Sequence, residues 1–160
     1  MKRMRRAGFS FTIDTAMTPH EAWRRVVDVS AHGEVVPLTT GRGPAPEDAV
    51  VGSRYVARTG LGPFGFDDVM EVRDIEPGRR VVFEKVGRLL GGMVDVEVSP
   101  ATVVGADPAA GSRVAWRQSI TLPWVPGRLR LAAAVVTRVA APAVGAGYRK
   151  VVTKLLDPRR

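Results

Sequence analysis

At 160 residues the chain is long enough to bury one core and short for two, so one domain spanning 1–160 is expected. The lack of cysteine excludes a disulfide framework and thiolate metal sites, and it fits a cytoplasmic protein. A net charge of +8 and a pI near 10.9 favour acidic partners, but most of the excess sits at the two ends of the chain.

Lys2, Arg3, Arg5 and Arg6 open the chain, and Arg149, Lys150, Lys154, Arg159 and Arg160 close it. A solvated surface is the plain expectation for these ends; a weak contact with an anionic membrane or RNA is the alternative. MKRMRR has the charge of a signal-peptide start, yet Gly8 to Met17 alternate and carry Asp14 instead of forming an apolar run, so no cleaved signal is expected.

Phe9, Phe11 and Ile13 alternate with Ser10, Thr12 and Asp14, the period of a strand with one buried face. Thr18, Pro19 and Glu21 then form a capping box with proline at the first helical position. The helix that follows buries Ala22, Trp23, Val26 and Val27, and Asp28 to Gly33 reads as its exit and a second short helix. Proline and glycine punctuate the next stretch and leave only a short strand around Val36 to Thr40. Arg54 to Thr59, Phe66 to Ile75, Arg79 to Gly87, Gly92 to Ser99 and Ser112 to Leu122 follow as strands, separated by the turn texts GLGPFG, EPGR, GRLLGG and DPAAG. Hairpin succession of this kind makes an antiparallel meander.

From Pro126 to Leu156 apolar residues recur at helical spacing: Leu129, Ala132, Val135, Val136, Val139, Ala143, Val144, Tyr148, Val151, Val152 and Leu155. Pro142 predicts a kink near Ala141, with two helices meeting in a short linker as the alternative. The longest uncharged run here, Val139 to Tyr148, is half of what a membrane span needs, so no transmembrane segment is expected.

This order of elements, with the local texts TPHEAWRRVVDVSAHGEVVP, VGSRY and GSRVAWRQSITLP, resembles the START-like SRPBCC superfamily, the polyketide cyclase/dehydrase and lipid-transport group. The resemblance covers nearly the whole chain; Glu34 and Val35 depart from it where many relatives carry an aromatic residue. It implies an α+β helix-grip fold, in which an antiparallel sheet of about seven strands wraps around a long, kinked C-terminal helix, with a short helix pair after the first strand. It also implies an apolar pocket between sheet and helix. Some members of the superfamily act instead on ribosomes or respiratory quinones, which would give the basic termini a role.

Strand alternation turns Val114, Trp116, Gln118 and Ile120 inward, together with Phe66, Asp68, Met70 and Val72, Tyr55 and Ala57, Val81 and Phe83, and Val94 and Val96. The expected lining of a ligand cavity is therefore Tyr55, Phe66, Asp68, Met70, Phe83, Trp116 and Gln118, joined by Val139 and Tyr148 from the helix. The apolar members equally describe an ordinary core. Asp68 and Gln118 are more telling, because an unpaired polar group on an inward face costs about 1–3 kcal/mol.

No catalytic constellation is expected. His20 and His32 fall in no triad or metal spacing and read as surface residues, and Asp67 and Asp68 are adjacent in a strand and so face opposite ways. GLGPFG and GRLLGG lack the strand-to-helix context and the lysine of a phosphate loop, so neither a cofactor nor a metal is expected. The leading expectation is a module that binds a hydrophobic or amphipathic small molecule. The alternative is a polyketide cyclase, aromatase or dehydratase in which Asp68, Gln118 or Tyr55 orients or protonates a bound chain.

Overall fold

In a computed structural model that describes residues 7–103, 111–157 and 159, the elements run β1 (Gly8–Thr15), α1 (Pro19–Val27), α2 (Val29–Val35), β2 (Thr39–Arg42), β3 (Arg54–Leu61), β4 (Phe64–Glu76), β5 (Arg80–Val86), β6 (Gly91–Pro100), β7 (Ser112–Ser119), a 3-10 turn (Gly127–Leu129) and α3 (Arg130–Leu155). The strands form one seven-stranded antiparallel sheet in the order β1-β7-β6-β5-β4-β3-β2. Consecutive pairing from β2 to β7 is the expected meander, and β1 closes on β7 with Phe11 opposite Trp116. Asp107 to Ala110 of the turn text DPAAG and the basic residues Lys2, Arg3, Arg5, Arg6 and Arg160 lie outside the described residues.

Thr18 caps α1 as its sequence requires. Its Oγ1 accepts from the Glu21 amide at 3.3 Å, and Glu21 Oε2 accepts from the Thr18 amide at 3.0 Å. Asp28 ends α1 and caps α2, its Oδ1 accepting from the Ser30 and Ala31 amides. His32, read as a surface residue, is instead half-buried against α1, with Nε2 3.1 Å from the Val26 carbonyl oxygen. Burial holds its pKa below the ordinary 6.5, outweighing the carbonyl contact and nearby Asp28, which act the other way.

The second strand starts later than the expected Val36 to Thr40 because α2 runs to Val35 and Leu38 then turns the chain at φ 59°. Gly41 lets β2 pass beneath α2: a Cβ there would stand 1.9 Å from the Val29 carbonyl oxygen. In β4 a register shift between Val72 and Asp74 lets the strand run on to Glu76 with Ile75 packed on the core. The last strand ends at Ser119 rather than Leu122; beyond it Thr121 makes an isolated bridge to Gly91.

The concave face carries the core. Val81, Val94, Val96, Val98 and Val114 are fully buried there, and Tyr55 meets Phe83 edge-on at 5.5 Å between ring centroids. The convex face carries ion pairs between neighbouring strands, such as Arg54–Glu71, Arg73–Glu84 and Arg80–Asp95. Exposed pairs of this kind contribute about 0–1 kcal/mol each.

One uninterrupted helix runs through Pro142, which settles the alternative of two helices against it. The face it turns to the sheet agrees with the expected stripe at Tyr148, Val152 and Leu155 and departs from it in the first half of the helix. Ala141, Gly145, Val152 and Leu155 are buried, while Leu129, Val135, Val136 and Val139 of the apolar stripe are exposed. Gly145 brings the helix down onto β1: a Cβ there would sit 2.8 Å from the Phe9 Cβ. Tyr148 packs against Phe9 at 5.5 Å and Trp116 at 6.0 Å, and Thr15 Oγ1 donates to the Leu156 carbonyl at 2.9 Å.

Gly145→Val should cost about 1–3 kcal/mol in urea denaturation, because the branched side chain must push α3 away from Phe9; a stability equal to the parent's would mean that the helix is not seated there. His32 binds its proton less readily folded than unfolded, so the stability it supports is whole above pH 6.5 and falls as pH drops through its lowered folded value. His32→Gln should flatten the stability profile between about pH 7 and pH 5, and an unchanged slope would remove His32 from that dependence.

Candidate ligand-binding site

Alternation along β5 places Lys85 on the same inward face as Val81 and Phe83, and alternation along β4 places Asp68 with Met70 and Val72. The two strands are neighbours, and Lys85 Nζ forms an ion pair with Asp68 Oδ2. The Lys85 side chain is only 2% exposed. Asp68 Oδ1 is buried and has no hydrogen-bond partner among the described residues, and the same holds for Tyr55 Oη and Ser112 Oγ. Asp67 faces outward as expected, where it accepts from Arg58 at 3.0 Å.

A second inward polar group stands across the sheet. Gln118 Oε1 accepts from Trp116 Nε1 at 3.2 Å, within a buried pair on β7. β5 and β6 lie between Asp68 and Gln118, a separation of about 14 Å at the usual inter-strand spacing. Each is held by its own neighbour, Asp68 by Lys85 and Gln118 by Trp116.

The sequence-derived lining scatters. Tyr55, Phe83 and Trp116 are core residues; Met70 and Tyr148 pack at its margin. Phe66 is half-exposed near the start of β4. Val139 is a correction: it is 75% exposed on the helix's outer side, away from the sheet, because the small residues of α3 take the inner side.

The apolar hollow lies elsewhere, where α3 begins. A cleft of about 440 Å³ opens between the segment after β7 (Ile120, Thr121, Leu122, Pro123 and Val125) and the first turns of α3 (Arg130, Leu131, Ala133, Ala134, Val135, Thr137 and Arg138), with Ala7 at its edge. This volume is within the range of small-molecule sites, about 300–1,000 Å³. None of the sequence-derived residues lines it. A neighbouring hollow of about 520 Å³ shares Ala7 and Arg138 with it and does include Gln118, with Phe9, Met93 and Asp95. Thr137 Oγ1 donates back to the Ala133 carbonyl at 2.8 Å, so its hydroxyl makes no demand on the cleft. Arg130 and Arg138 carry no ion-pair partner among the described residues.

Lys85 was missed although the rule that found Phe83 also finds it; a lysine in an amphipathic strand reads by default as an outward residue. The cleft was missed for another reason. Its walls come from an irregular segment without periodicity and from the helix side whose small residues carry little hydrophobic signal.

Removing one partner of the buried pair should be far more damaging than removing both. Lys85→Met alone should cost about 3–5 kcal/mol, because it leaves a buried carboxylate uncompensated, whereas Lys85→Met with Asp68→Leu should return most of that loss. Urea denaturation of the single and double variants checks this, and equal losses would show that the pair is not buried.

No protein-family model matches the chain, and no curated protein does. Solved structures match it in shape. The chain is similar to the di-domain ARO/CYC StfQ from the steffimycin biosynthetic pathway, with a TM-score of 0.66 at 14% identity, covering 94% of this chain and 49% of that one, so it spans about half of that protein. It is similar to SA2116 of Staphylococcus aureus, a protein of unknown function, with a TM-score of 0.64 at 7% identity over 96% of both chains. The Polyketide_cyc-like protein Cgl2372 of Corynebacterium glutamicum gives a TM-score of 0.59 at 17% identity, over 96% of this chain and 91% of that one. Identities this low speak to shape alone, and the shape is a helix-grip fold, a curled antiparallel sheet with a long C-terminal helix.

Proposed function

We propose that the 160-residue chain acts as one domain that binds a hydrophobic or amphipathic small molecule, lipid-like or polyketide-like, between the segment after β7 and the first half of α3. The observation that carries this reading is the cleft itself. Ile120, Leu122, Pro123 and Val125 form one apolar wall, and Ala133 and Ala134 leave room opposite it. Arg130 and Arg138 line it without carboxylate partners among the described residues, so a carboxylate or similar anionic end on the ligand would find cations there. The likeness in shape to StfQ and Cgl2372 supports a polyketide-like ligand as much as a lipid-like one. A cytoplasmic setting, suggested by the cysteine-free sequence, goes with this reading.

Turnover has less support. Asp68 is held by Lys85, Gln118 by Trp116, and Tyr55 is fully buried in the core. These are the three groups that a cyclase, aromatase or dehydratase reading would use, and none borders the apolar cleft. The binding reading is therefore preferred.

Oleate and an aromatic polyketide are suitable probes. At 100 times its dissociation constant a bound probe should add about 2.7 kcal/mol, which is about 5–10 °C in melting temperature for a domain of this size. Ala134→Phe should fill the cleft and abolish the rise while the unliganded protein still melts cooperatively. A rise that survives this substitution would place the ligand elsewhere, and no rise with any chemically varied probe would reject the reading.

A further inference from the structure

The outer side of α3 presents a second problem, independent of any ligand in the cleft. Val136 and Val139 lie on this side and are 63% and 75% exposed, and Leu131 and Val135, 71% and 56% exposed, stand between it and the cleft that they also line. The opposite side of the same turns is made of Ala134, Thr137 and Ala141, so this half of the helix is apolar nearly all round. Helices of that kind are normally covered on every side. By length and composition the run Gly127–Leu155 would even cross a bilayer, although its C-terminal half is seated on β1 through Ala141, Gly145, Val152 and Leu155.

Charge decides among the occupants of this face. Between Ser112 and Leu156 the chain holds no aspartate or glutamate. The apolar stretch is bracketed by Arg128 and Arg130 before it and by Arg149, Lys150 and Lys154 after it, with Arg138 on its flank. A second copy of the chain would set cation against cation whether the two helices ran parallel or antiparallel. An anionic surface meets the same brackets with attraction, and long basic side chains at the ends of an apolar stretch reach readily to headgroup phosphates. Trp124, 60% exposed, stands just before the helix and is a residue type that favours the boundary between acyl chains and water.

We propose that the outer face of the first half of α3 is a docking surface for an anionic phospholipid bilayer, on which the helix lies flat with its apolar side among the acyl chains and its basic residues among the headgroups. The inference does not rest on the cleft being a ligand site: Val136 and Val139, which carry it, do not line the cleft, whereas Leu131 and Val135 border both.

Vesicles of phosphatidylcholine alone and of phosphatidylcholine with phosphatidylglycerol test it by co-sedimentation. The parent should sediment with the anionic vesicles and much less with the neutral ones, and added salt should weaken the binding. Trp23 and Trp116 are buried, so a blue shift of tryptophan emission on binding reports Trp124 and should vanish in Trp124→Phe. Val136→Asp with Val139→Asp changes only exposed positions; it should keep the parent's circular dichroism and melting temperature and lose vesicle binding by about tenfold or more. Undiminished binding by that variant overturns the proposal, as does equal binding to neutral vesicles. Self-association without vesicle binding overturns it in favour of a second copy, and resistance of the bound protein to alkaline carbonate overturns it in favour of a membrane span.

Discussion

The structure depends on how the C-terminal half of α3 is clamped to β1. Gly145 removes the one Cβ that would hold the helix away from Phe9, and Tyr148 then reaches Phe9 and Trp116 together. Ring contacts of this geometry add about 0.5–1.5 kcal/mol each beyond the area they bury. Val152, Leu155 and the bond from Thr15 to the Leu156 carbonyl complete the seat. The 26-residue helix is about 39 Å long, whereas the eight residues of β1 span about 27 Å. A helix seated at its far end on so short a strand must overhang it at the other. The cleft is a consequence of that overhang.

The interior beneath the helix is not arranged for stability alone. Burying the Lys85–Asp68 pair costs several kcal/mol in desolvation per ion, which their attraction offsets only with good geometry and further hydrogen bonds. Among the described residues Asp68 Oδ1 lacks such a bond, and the Tyr55 and Ser112 hydroxyls are likewise unpaired, each at a cost of about 1–3 kcal/mol. The valines of β5, β6 and β7 must outweigh these terms. The convex face shows the opposite economy: its many arginine–carboxylate pairs are exposed, and each contributes little.

Much of the fold was legible in the sequence because its signals are local. The alternation of Phe9, Phe11 and Ile13 and of Val114, Trp116 and Gln118 gave strands and faces together, and the Thr18–Glu21 box marked a helix start to the residue. The face of α3 was not legible in this way. Periodicity shows that a helix has an apolar side and says nothing of what waits opposite it. Here the Phe9 ring stands so close to the helix that Gly145 must be small, and this fixes the side bearing Ala141, Gly145 and Tyr148 as the inner one and turns Val136 and Val139 out. Ranking residues by hydrophobicity predicts the reverse, which is how Val139 came to be expected in the cavity. The candidate site suffered doubly, since it is formed by that same helix and by the aperiodic segment from Ile120 to Val125.

The exposed valines of α3 can be weighed on two independent scales. As helix formers Val135, Val136 and Val139 are poorer than the Ala, Glu or Lys that suit an exposed turn, by up to about 0.7 kcal/mol per residue. As exposed side chains they also forgo burial free energy, which for a valine is about 1.5–3 kcal/mol when complete. Neither local propensity nor solubility therefore favours these residues where water covers them, and on a helix that is already anchored elsewhere they add nothing to the core. Covering the face changes the second term and leaves the first. These side chains are already partly covered, yet the gain on covering the rest still exceeds the propensity penalty, so the composition of this half of α3 is more favourable when something apolar lies against it.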